Sequence, residues 1–188
     1  MANEQSLTRN YIYGSLFKLL ETKSYDKLSV SDICAKAGVS RMSFYRNFSS
    51  KYDLAINSVR KIRSDIRDSI DKLEVKNHYT ITKQFFETLK AYDKVMLAFY
   101  NSEICRDLVN LLTDEMLDDF PNDMVNKTSK YIPVYHFGAM TAVIFEWIKL
   151  GTNESPDEMA RILCTLNKFD NNEPKLDKKT NIATIMQD

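Results

Sequence analysis

Residues 41–47, RMSFYRN, place two arginines and three other polar side chains within seven positions. Arg41 and Arg46 can donate paired hydrogen bonds to a guanine edge or to a phosphate group. If the segment is helical, Phe44 and Phe48 lie four residues apart on one face and can anchor it to a core. The pattern therefore predicts a short helix that buries two phenylalanines and turns a cationic, hydroxyl-bearing face outward, which is typical of a DNA-recognition helix.

Capping signals around this segment predict the helices that would hold it. Ser29 and Asp32 form an S-x-x-D capping box, which begins a helix just before the recognition segment. Gly38 follows that helix at the position where a left-handed residue is needed, and Ser40 can cap the next helix. We therefore expect two short helices joined by a tight turn, with the recognition helix second.

A further S-x-x-D pattern at Ser50 begins a long helix predicted over residues 51–74. Lys51 lies in the first turn of this helix, where a cation opposes the helix dipole. A phosphate bound at the same helix end would remove the conflict, so Lys51 is a candidate phosphate ligand. Thr8 and Arg9 lie in the first turn of an N-terminal helix predicted over 6–23, and they fit either a phosphate contact or a solvated helix end equally well.

The charges are divided between the two parts of the chain. Residues 1–63 hold 11 basic and 5 acidic side chains, whereas residues 64–188 hold 15 basic and 21 acidic side chains. The net charge of zero thus conceals an excess of six positive charges at one end and six negative charges at the other. This asymmetry indicates one module that faces nucleic acid and one that stays away from it.

Composition favours an all-helical protein in the cytoplasm. Four glycines and four prolines in 188 residues favour long helices over a turn-rich β fold. Residues 1–10 are polar, so no signal peptide is expected, and the apolar run 137–145 is too short to span a bilayer. Cys34, Cys105 and Cys164 are far apart and odd in number, which favours reduced thiols.

Hydrophobic spacing predicts four more helical regions after the long helix. They cover residues 80–100, 102–120 with Ser102 as N-cap, and 132–150, and the last begins at Ser155 through the capping pattern S-P-D-E. We expect a DNA-binding domain over residues 1–50, a helical regulatory and dimerisation domain over 51–170, and a flexible tail over 171–188.

The last two helices are predicted to form a homodimer. The helix over 132–150 is apolar nearly all round, so nearly all of its surface must be buried. The final helix adds a second apolar stripe, and no later segment of the chain remains to cover the outer faces of both. A second copy of the chain, contacting through residues 132–169, is the predicted cover.

A ligand cavity is expected between the helices of the 80–150 region. The candidate lining residues are aromatic, although each also fits an ordinary core position: Tyr92, Phe99, Tyr100, Tyr135, Phe145 and Trp147. His136 fits either ligand sensing or a satisfied core or interface histidine.

No pattern indicates catalysis, a cofactor or a metal. Glu74 lies four residues before His78, but one such pair is too little for a metal site, and His136 has only Met140 in reach, a poor ligand for hard metals. The acidic run 114–119 fits a solvated helix end better than a catalytic pair. The chain has neither a recognisable nucleophile motif nor a glycine-rich phosphate loop. We therefore expect a protein without enzymatic activity, metal or cofactor.

The segment LSVSDICAKAGVSRMSFYRNFSSKYDL, residues 28–54, resembles the TetR family of bacterial transcriptional regulators. The AGVS turn, the FYxxF helix and the SKxDL helix start occur together at the family's spacing, and the resemblance extends over residues 6–62. Ser24 stands where the family often has glycine. The run from Gly138 to Gly151, followed by SPDEM, is similar to regulators of this family common in low-GC Gram-positive bacteria.

This resemblance implies an all-α fold, with an N-terminal three-helix helix-turn-helix DNA-binding domain and a C-terminal helical dimerisation and ligand-binding domain. It also implies a homodimeric repressor that binds a palindromic double-stranded DNA operator and is released by a small-molecule effector. The alternative is a coactivator or adaptor whose C-terminal domain binds a protein partner. The DNA-contacting positions carried over are Ser29, Ser40, Arg41, Met42, Ser43, Tyr45, Arg46, Asn47 and Lys51.

Overall fold

The computed structural model describes residues 2–118 and 131–170, and within these ranges every regular element is helical. The α-helices in chain order are α1 Ala2–Leu20, α2 Val30–Ala37, α3 Arg41–Asn47, α4 Lys51–Asp71, α5 His78–Lys90, α6 Asp93–Tyr100, α7 Cys105–Asp118, α8 Ile132–Lys149 and α9 Pro156–Asp170. A 3-10 turn, Tyr25–Lys27, joins α1 to α2. None of the described helices is long and apolar enough to cross a membrane.

The predicted caps of the helix-turn-helix are confirmed. The Ser29 hydroxyl accepts from the Asp32 N–H, and the Asp32 carboxylate accepts from the Ser29 N–H, so the capping box is complete. Gly38 ends α2 with φ +66°, a left-handed conformation that a side chain would make strained. Ser40 caps α3 by accepting from the Ser43 N–H at 3.0 Å. These local hydrogen bonds define the turn between α2 and α3.

The first three helices share a core around the two predicted phenylalanines. Phe44 has no exposed surface and Phe48 has 1%, with ring centroids 5.9 Å apart. Ile12 and Leu16 of α1 and Ile33 of α2 are also completely buried. Burying Phe44 of this seven-residue helix and Phe48, its C-cap residue, stabilises the helix far more than its own propensity can.

The predicted helix over 80–100 is wrong in one respect, because the chain breaks it into α5 and α6 around Tyr92. The Tyr92 hydroxyl donates to the Asp65 carboxylate at 2.6 Å, and its ring meets the Phe17 ring edge-on at 5.7 Å. These contacts turn the chain so that α6 lies against α1. No glycine or proline marks the break, so the sequence does not show it.

The predicted start of the next helix is also wrong. α7 begins at Cys105, and Ser102 lies before it with its hydroxyl donating to the Phe99 carbonyl at 2.6 Å. The predicted end of this helix near residue 120 and the predicted flexible tail, 171–188, lie outside the described residues.

The C-terminal helices pack in pairs. α9 lies along α5, α5 lies against α4, and α8 contacts both α6 and α7. Phe86 and Trp147 are central to this core, with ring centroids 5.0 Å apart. The predicted cap of α9 is confirmed, because the Ser155 hydroxyl accepts from the Glu158 N–H and the Glu158 carboxylate accepts from the Ser155 N–H.

Within a single chain, α8 is covered on one side only. Trp147 and Ile148 are buried, whereas Val134 is 42% and Tyr135 58% exposed. Ile162 and Leu166 of α9 are likewise 43% and 48% exposed. The described residues of one chain therefore do not give α8 the expected burial nearly all round.

Candidate DNA-binding surface and ligand cavity

The outer face of α3 carries the predicted cationic groups. Arg41 and Arg46 are exposed, Tyr45 is 48% exposed and Met42 is 65% exposed. The Arg46 guanidinium lies 3.8 Å from the Met42 sulfur, so these two side chains share one strip of the surface. The helix thus presents hydrogen-bond donors to solvent while the phenylalanines hold its other face, and this arrangement can enter a major groove.

Ser29 and Ser40, the capping serines of the helix-turn-helix, are exposed, but their hydroxyl groups form hydrogen bonds within the protein. Ser29 Oγ donates to Asp32 Oδ2 at 2.8 Å, and Ser40 Oγ accepts the Ser43 N–H. The hydrogen bonds from Ser29, joined by one from Lys23, lower the pKa of Asp32 to about 2. DNA contact by Ser29, Ser40 and Ser43 stays a prediction beside this capping role.

Lys51 turns back toward the linker between α1 and α2. Its Nζ donates to the carbonyls of Tyr25 at 3.0 Å and Leu28 at 2.8 Å, and lies 4.3 Å from the centre of the Tyr25 ring. These acceptors offset the unfavourable position of the cation at the start of α4 without any phosphate. The phosphate contact predicted for Lys51 stays a prediction, and the structure adds a tethering role.

Arg9 has a positioning role that no local sequence pattern indicates, because its partner in α3 lies 38 residues away. Its Nη1 donates to the Asn47 carbonyl at 3.0 Å, its Nη2 donates to the Tyr13 hydroxyl at 3.0 Å, and its guanidinium lies 4.5 Å from the Phe48 ring centre. α1 is thereby fastened to the C-terminal end of α3. The Asn47 side chain is also engaged, since Nδ2 donates to the Ser43 carbonyl at 2.8 Å.

A cavity of about 230 Å³ lies among α4, α5, α6, α7 and α8. Its wall is almost entirely apolar and includes Ile62, Ile66, Leu89, Phe99, Leu108, Phe137 and Ile144. An apolar space of this size can hold a small organic molecule. The predicted cavity is therefore present, and its volume of about 230 Å³ lies below the usual range for ligand sites, about 300–1,000 Å³.

Three of the predicted aromatic residues line this cavity, namely Phe99, Tyr100 and Phe145. The positions predicted for Tyr92, Tyr135, His136 and Trp147 as lining residues are wrong for this cavity. Trp147 donates from Nε1 to the Glu154 carbonyl at 3.0 Å inside the core. Burial, followed by the hydrogen bond to Asp65, raises the pKa of the Tyr92 phenol. Tyr135 and His136 lie on the exposed side of α8.

Arg63 adds a charged group to the cavity wall, and Glu115 of α7 holds it. Glu115 Oε2 accepts from Arg63 Nη1 at 3.1 Å, while Oε1 accepts from Arg60 Nε at 2.7 Å. The expected solvated helix end is therefore wrong at Glu115, whose side chain is only 24% exposed. No local signal predicts this pair, because its members lie 52 residues apart.

The described residues show no group of three or more histidine, cysteine or acidic side chains that could hold a metal ion. Cys34, Cys105 and Cys164 are free thiols, as expected. Burial raises the pKa of the Cys34 and Cys105 thiols.

Comparisons with known proteins agree with this arrangement. The family model for bacterial regulatory proteins of the tetR family matches residues 14–57, and the model for a transcriptional regulator C-terminal region matches residues 76–168. The HTH-type transcriptional regulator AlkX of Mycobacterium tuberculosis is 24% identical over 117 residues. That match covers 59% of this chain and 56% of the relative, so the chain spans little more than half the length of this curated relative.

Solved structures share the fold at low identity. The dihydroxyacetone kinase operon activator DhaS has a TM-score of 0.62 at 18% identity, covering 87% of this chain and 95% of that one. NalD, described as the secondary repressor of the MexAB-OprM multidrug efflux pump in Pseudomonas aeruginosa, has a TM-score of 0.60 at 15% identity, covering 87% and 94%. The fatty acid degradation regulator FadR from Bacillus halodurans has a TM-score of 0.56 at 17% identity, covering 84% and 96%.

The two matched segments cover the helix-turn-helix and most of the helices that surround the cavity. Regulators of this family are DNA-binding transcription factors and not enzymes. The chain belongs to the TetR family of bacterial transcriptional regulators.

Proposed function

We propose that this chain is a homodimeric repressor that binds a palindromic operator through α3 and is released when a small apolar molecule enters the cavity. The single observation that carries the proposal is the cavity of about 230 Å³ walled by α4, the helix that begins directly after the helix-turn-helix. The same cavity favours a small-molecule effector over a C-terminal domain that serves only as an adaptor for a protein partner.

The DNA-binding part of the proposal is supported by the outer face of α3. Arg41 and Arg46 would read base edges together with Met42 and Ser43, since arginine to guanine is the commonest specific contact. Tyr45 and Asn47, with the serine caps and Lys51, would hold phosphates and set the register. Working on chromosomal DNA requires the protein to reside in the cytoplasm.

The dimer is supported by the exposed apolar surface on the last two helices. Val134 and Tyr135 of α8 and Ile162 and Leu166 of α9 are each at least 42% exposed in one chain. An isologous contact through 132–169 would bury all of them twice, once from each protomer. Two copies of α3 would then face successive major grooves, which lie about 34–36 Å apart along one turn of DNA.

The release step is supported by direct links between α4 and the helix-turn-helix. Lys51, the first residue of α4, donates to the Tyr25 and Leu28 carbonyls just before α2. On the other side, the Tyr52 hydroxyl donates to Asp107 of α7 at 3.4 Å. The DNA-binding unit, residues 1–50, would follow α4 through these hydrogen bonds. A ligand that shifts α4 against α7 would therefore also shift the DNA-binding unit against the other helices of the regulatory unit, residues 51–170.

The test begins with selection of bound fragments from genomic DNA by the purified protein. We expect enrichment of a short palindrome, bound as one dimer in a mobility-shift assay, and loss of that complex when an apolar effector is added. Genes beside the selected site would be transcribed more strongly when the protein is removed. Failure of the dimer to bind any DNA at low salt would contradict the DNA-binding proposal, and lower transcription after removal would contradict repression.

A further inference from the structure

Among the described side chains that line the cavity, Arg63 alone carries a formal charge. The remaining wall is apolar apart from a few weakly polar groups such as the Thr141 hydroxyl and the Tyr100 phenol. A carboxylate that enters a largely apolar space loses its hydration and needs a strong donor in exchange. Arg63 is therefore the group that would have to bind an anionic ligand.

Arg63 is already engaged by an internal carboxylate. Glu115 Oε2 accepts from Arg63 Nη1 at 3.1 Å, and the two side chains are only 24% and 27% exposed. A second carboxylate arriving at Arg63 would meet a like charge in a partly dehydrated site, where repulsion is stronger than in water. An anionic ligand must therefore compete with Glu115, whereas an uncharged ligand need not.

Arg60 adds a second positive charge to this cluster, but it stands on the solvent side. Its side chain is 46% exposed, its Nε donates to Glu115 Oε1 at 2.7 Å, and it does not line the cavity. Water and salt screen an exposed charge much more than a buried one. Arg60 thus forms an ion pair with Glu115 on the solvent side, while Glu115 offsets the positive charge of Arg63 on the cavity side.

We propose that Glu115 is a specificity-determining residue, which makes the cavity select uncharged apolar ligands and reject carboxylates. This inference rests on the proposed function of the cavity as the effector site. An apolar cavity of about 150 Å³ holds benzene. The volume of about 230 Å³ therefore suits a molecule of about nine or ten non-hydrogen atoms.

The test compares 1-octanol with octanoate, which have the same chain length and differ in charge at about pH 7.5. Each is titrated into the 188-residue protein by isothermal calorimetry. We expect the wild-type protein to bind octanol at least about tenfold more tightly than octanoate. In the Glu115→Gln variant, the affinity for octanoate should rise at least about tenfold, and the affinity for octanol should change less than about twofold.

Two further variants separate charge from folding. Asp114→Asn makes the same change of charge on the neighbouring, exposed residue of α7. It should change the affinity for neither ligand. Adding Arg63→Met to Glu115→Gln should remove the gained octanoate affinity, because the donor is lost. Octanol binding that persists in Glu115→Gln shows that the cavity is still formed.

The outcomes distinguish this inference from the proposed function on which it rests. Equal binding of octanol and octanoate by the wild-type protein overturns the role of Glu115 and leaves the effector site standing. The role of Glu115 is also overturned if Asp114→Asn raises the affinity for octanoate as much as Glu115→Gln does. Binding of neither ligand by any variant overturns both the effector site and the selectivity.

Discussion

The Arg9 guanidinium and the Asn47 carbonyl are joined at 3.0 Å, which fastens the first helix to the last residue of the recognition helix across 38 positions of sequence. The same guanidinium lies over the Phe48 ring at 4.5 Å. Because α3 has only seven residues, its orientation depends on such contacts at its ends and on its buried phenylalanines. Arg9 therefore positions the DNA-binding face without itself belonging to it.

Replacing Arg9 by alanine is expected to lower both stability and DNA affinity. The change removes two hydrogen bonds and a cation–π contact, which together contribute about 1–3 kcal/mol. Thermal unfolding and fluorescence anisotropy with operator DNA measure the two effects. Lys18→Ala removes an exposed positive charge from the same helix and serves as the control. Equal losses in both variants would show that Arg9 acts only through its charge.

Arg46 and Tyr45 are expected to differ in what they recognise. Arg46→Ala should relax base preference at one operator position, at a cost of about 1–3 kcal/mol, because a base-edge contact is lost. Tyr45→Ala should weaken binding to all sequences alike. Binding to operator and to random DNA is compared for each variant. An equal loss on both DNAs for Arg46→Ala would contradict base readout by this residue.

Lys51→Met is expected to weaken binding to every DNA sequence, and the salt dependence of binding reveals why. If Lys51 contacts a phosphate, the slope of log affinity against log salt should fall by about one for each protomer. If it acts only by holding the Tyr25 and Leu28 carbonyls, affinity and thermal stability should fall while the slope stays unchanged. We expect the smaller slope, and an unchanged slope would exclude the phosphate contact.

Leu166→Glu is expected to convert the dimer into monomers. Leu166 is 48% exposed in one chain, and a carboxylate buried at each of two symmetric positions would be strongly unfavourable. Sedimentation velocity measures the change. Leu7→Glu places the same charge at a 51% exposed leucine outside the proposed interface and should leave the dimer intact. A Leu166→Glu protein that remains dimeric would place the interface elsewhere.

The helix-turn-helix is expected to lose stability in acid through Asp32. Its pKa is about 2 in the folded protein and 3.8 for the ordinary carboxyl, because the Ser29 backbone and hydroxyl donate to the charged form. A depressed folded pKa contributes stability above about pH 4, and this contribution disappears as the pH falls toward 2.

Thermal unfolding followed between about pH 5 and 2 checks this expectation. The Asp32→Asn variant should be less stable than the wild-type protein at about pH 5, and it should lose less stability as the pH falls. Glu21→Gln, which changes an exposed carboxylate at the end of α1, should follow the wild-type curve. Parallel curves for the wild-type protein and Asp32→Asn would contradict the role of this carboxylate.

Structural features that depend on residues close together in the chain could be predicted from the sequence. The caps at Ser29, Ser40 and Ser155 and the left-handed Gly38 each involve partners within four or five positions, so their residue types alone indicate them. The phenylalanine anchor of α3 follows in the same way from helical spacing. The sequence pattern thus determined that there is a helix-turn-helix and which face of α3 is outward.

Features that depend on how helices meet were not predictable. Arg9 reaches Asn47, Lys51 reaches Tyr25, and Glu115 reaches Arg63 across 26 to 52 positions. The break between α5 and α6 depends on the reach of Tyr92 to Asp65, and no nearby residue marks it.

The sequence by itself determined the family of this protein and its recognition helix, because helix caps and hydrophobic spacing are local. Only the tertiary structure decided which aromatic residues line the cavity and which charge faces into it. Those features follow from the positions and rotations of packed helices, and many sequences with the same local pattern could pack them differently.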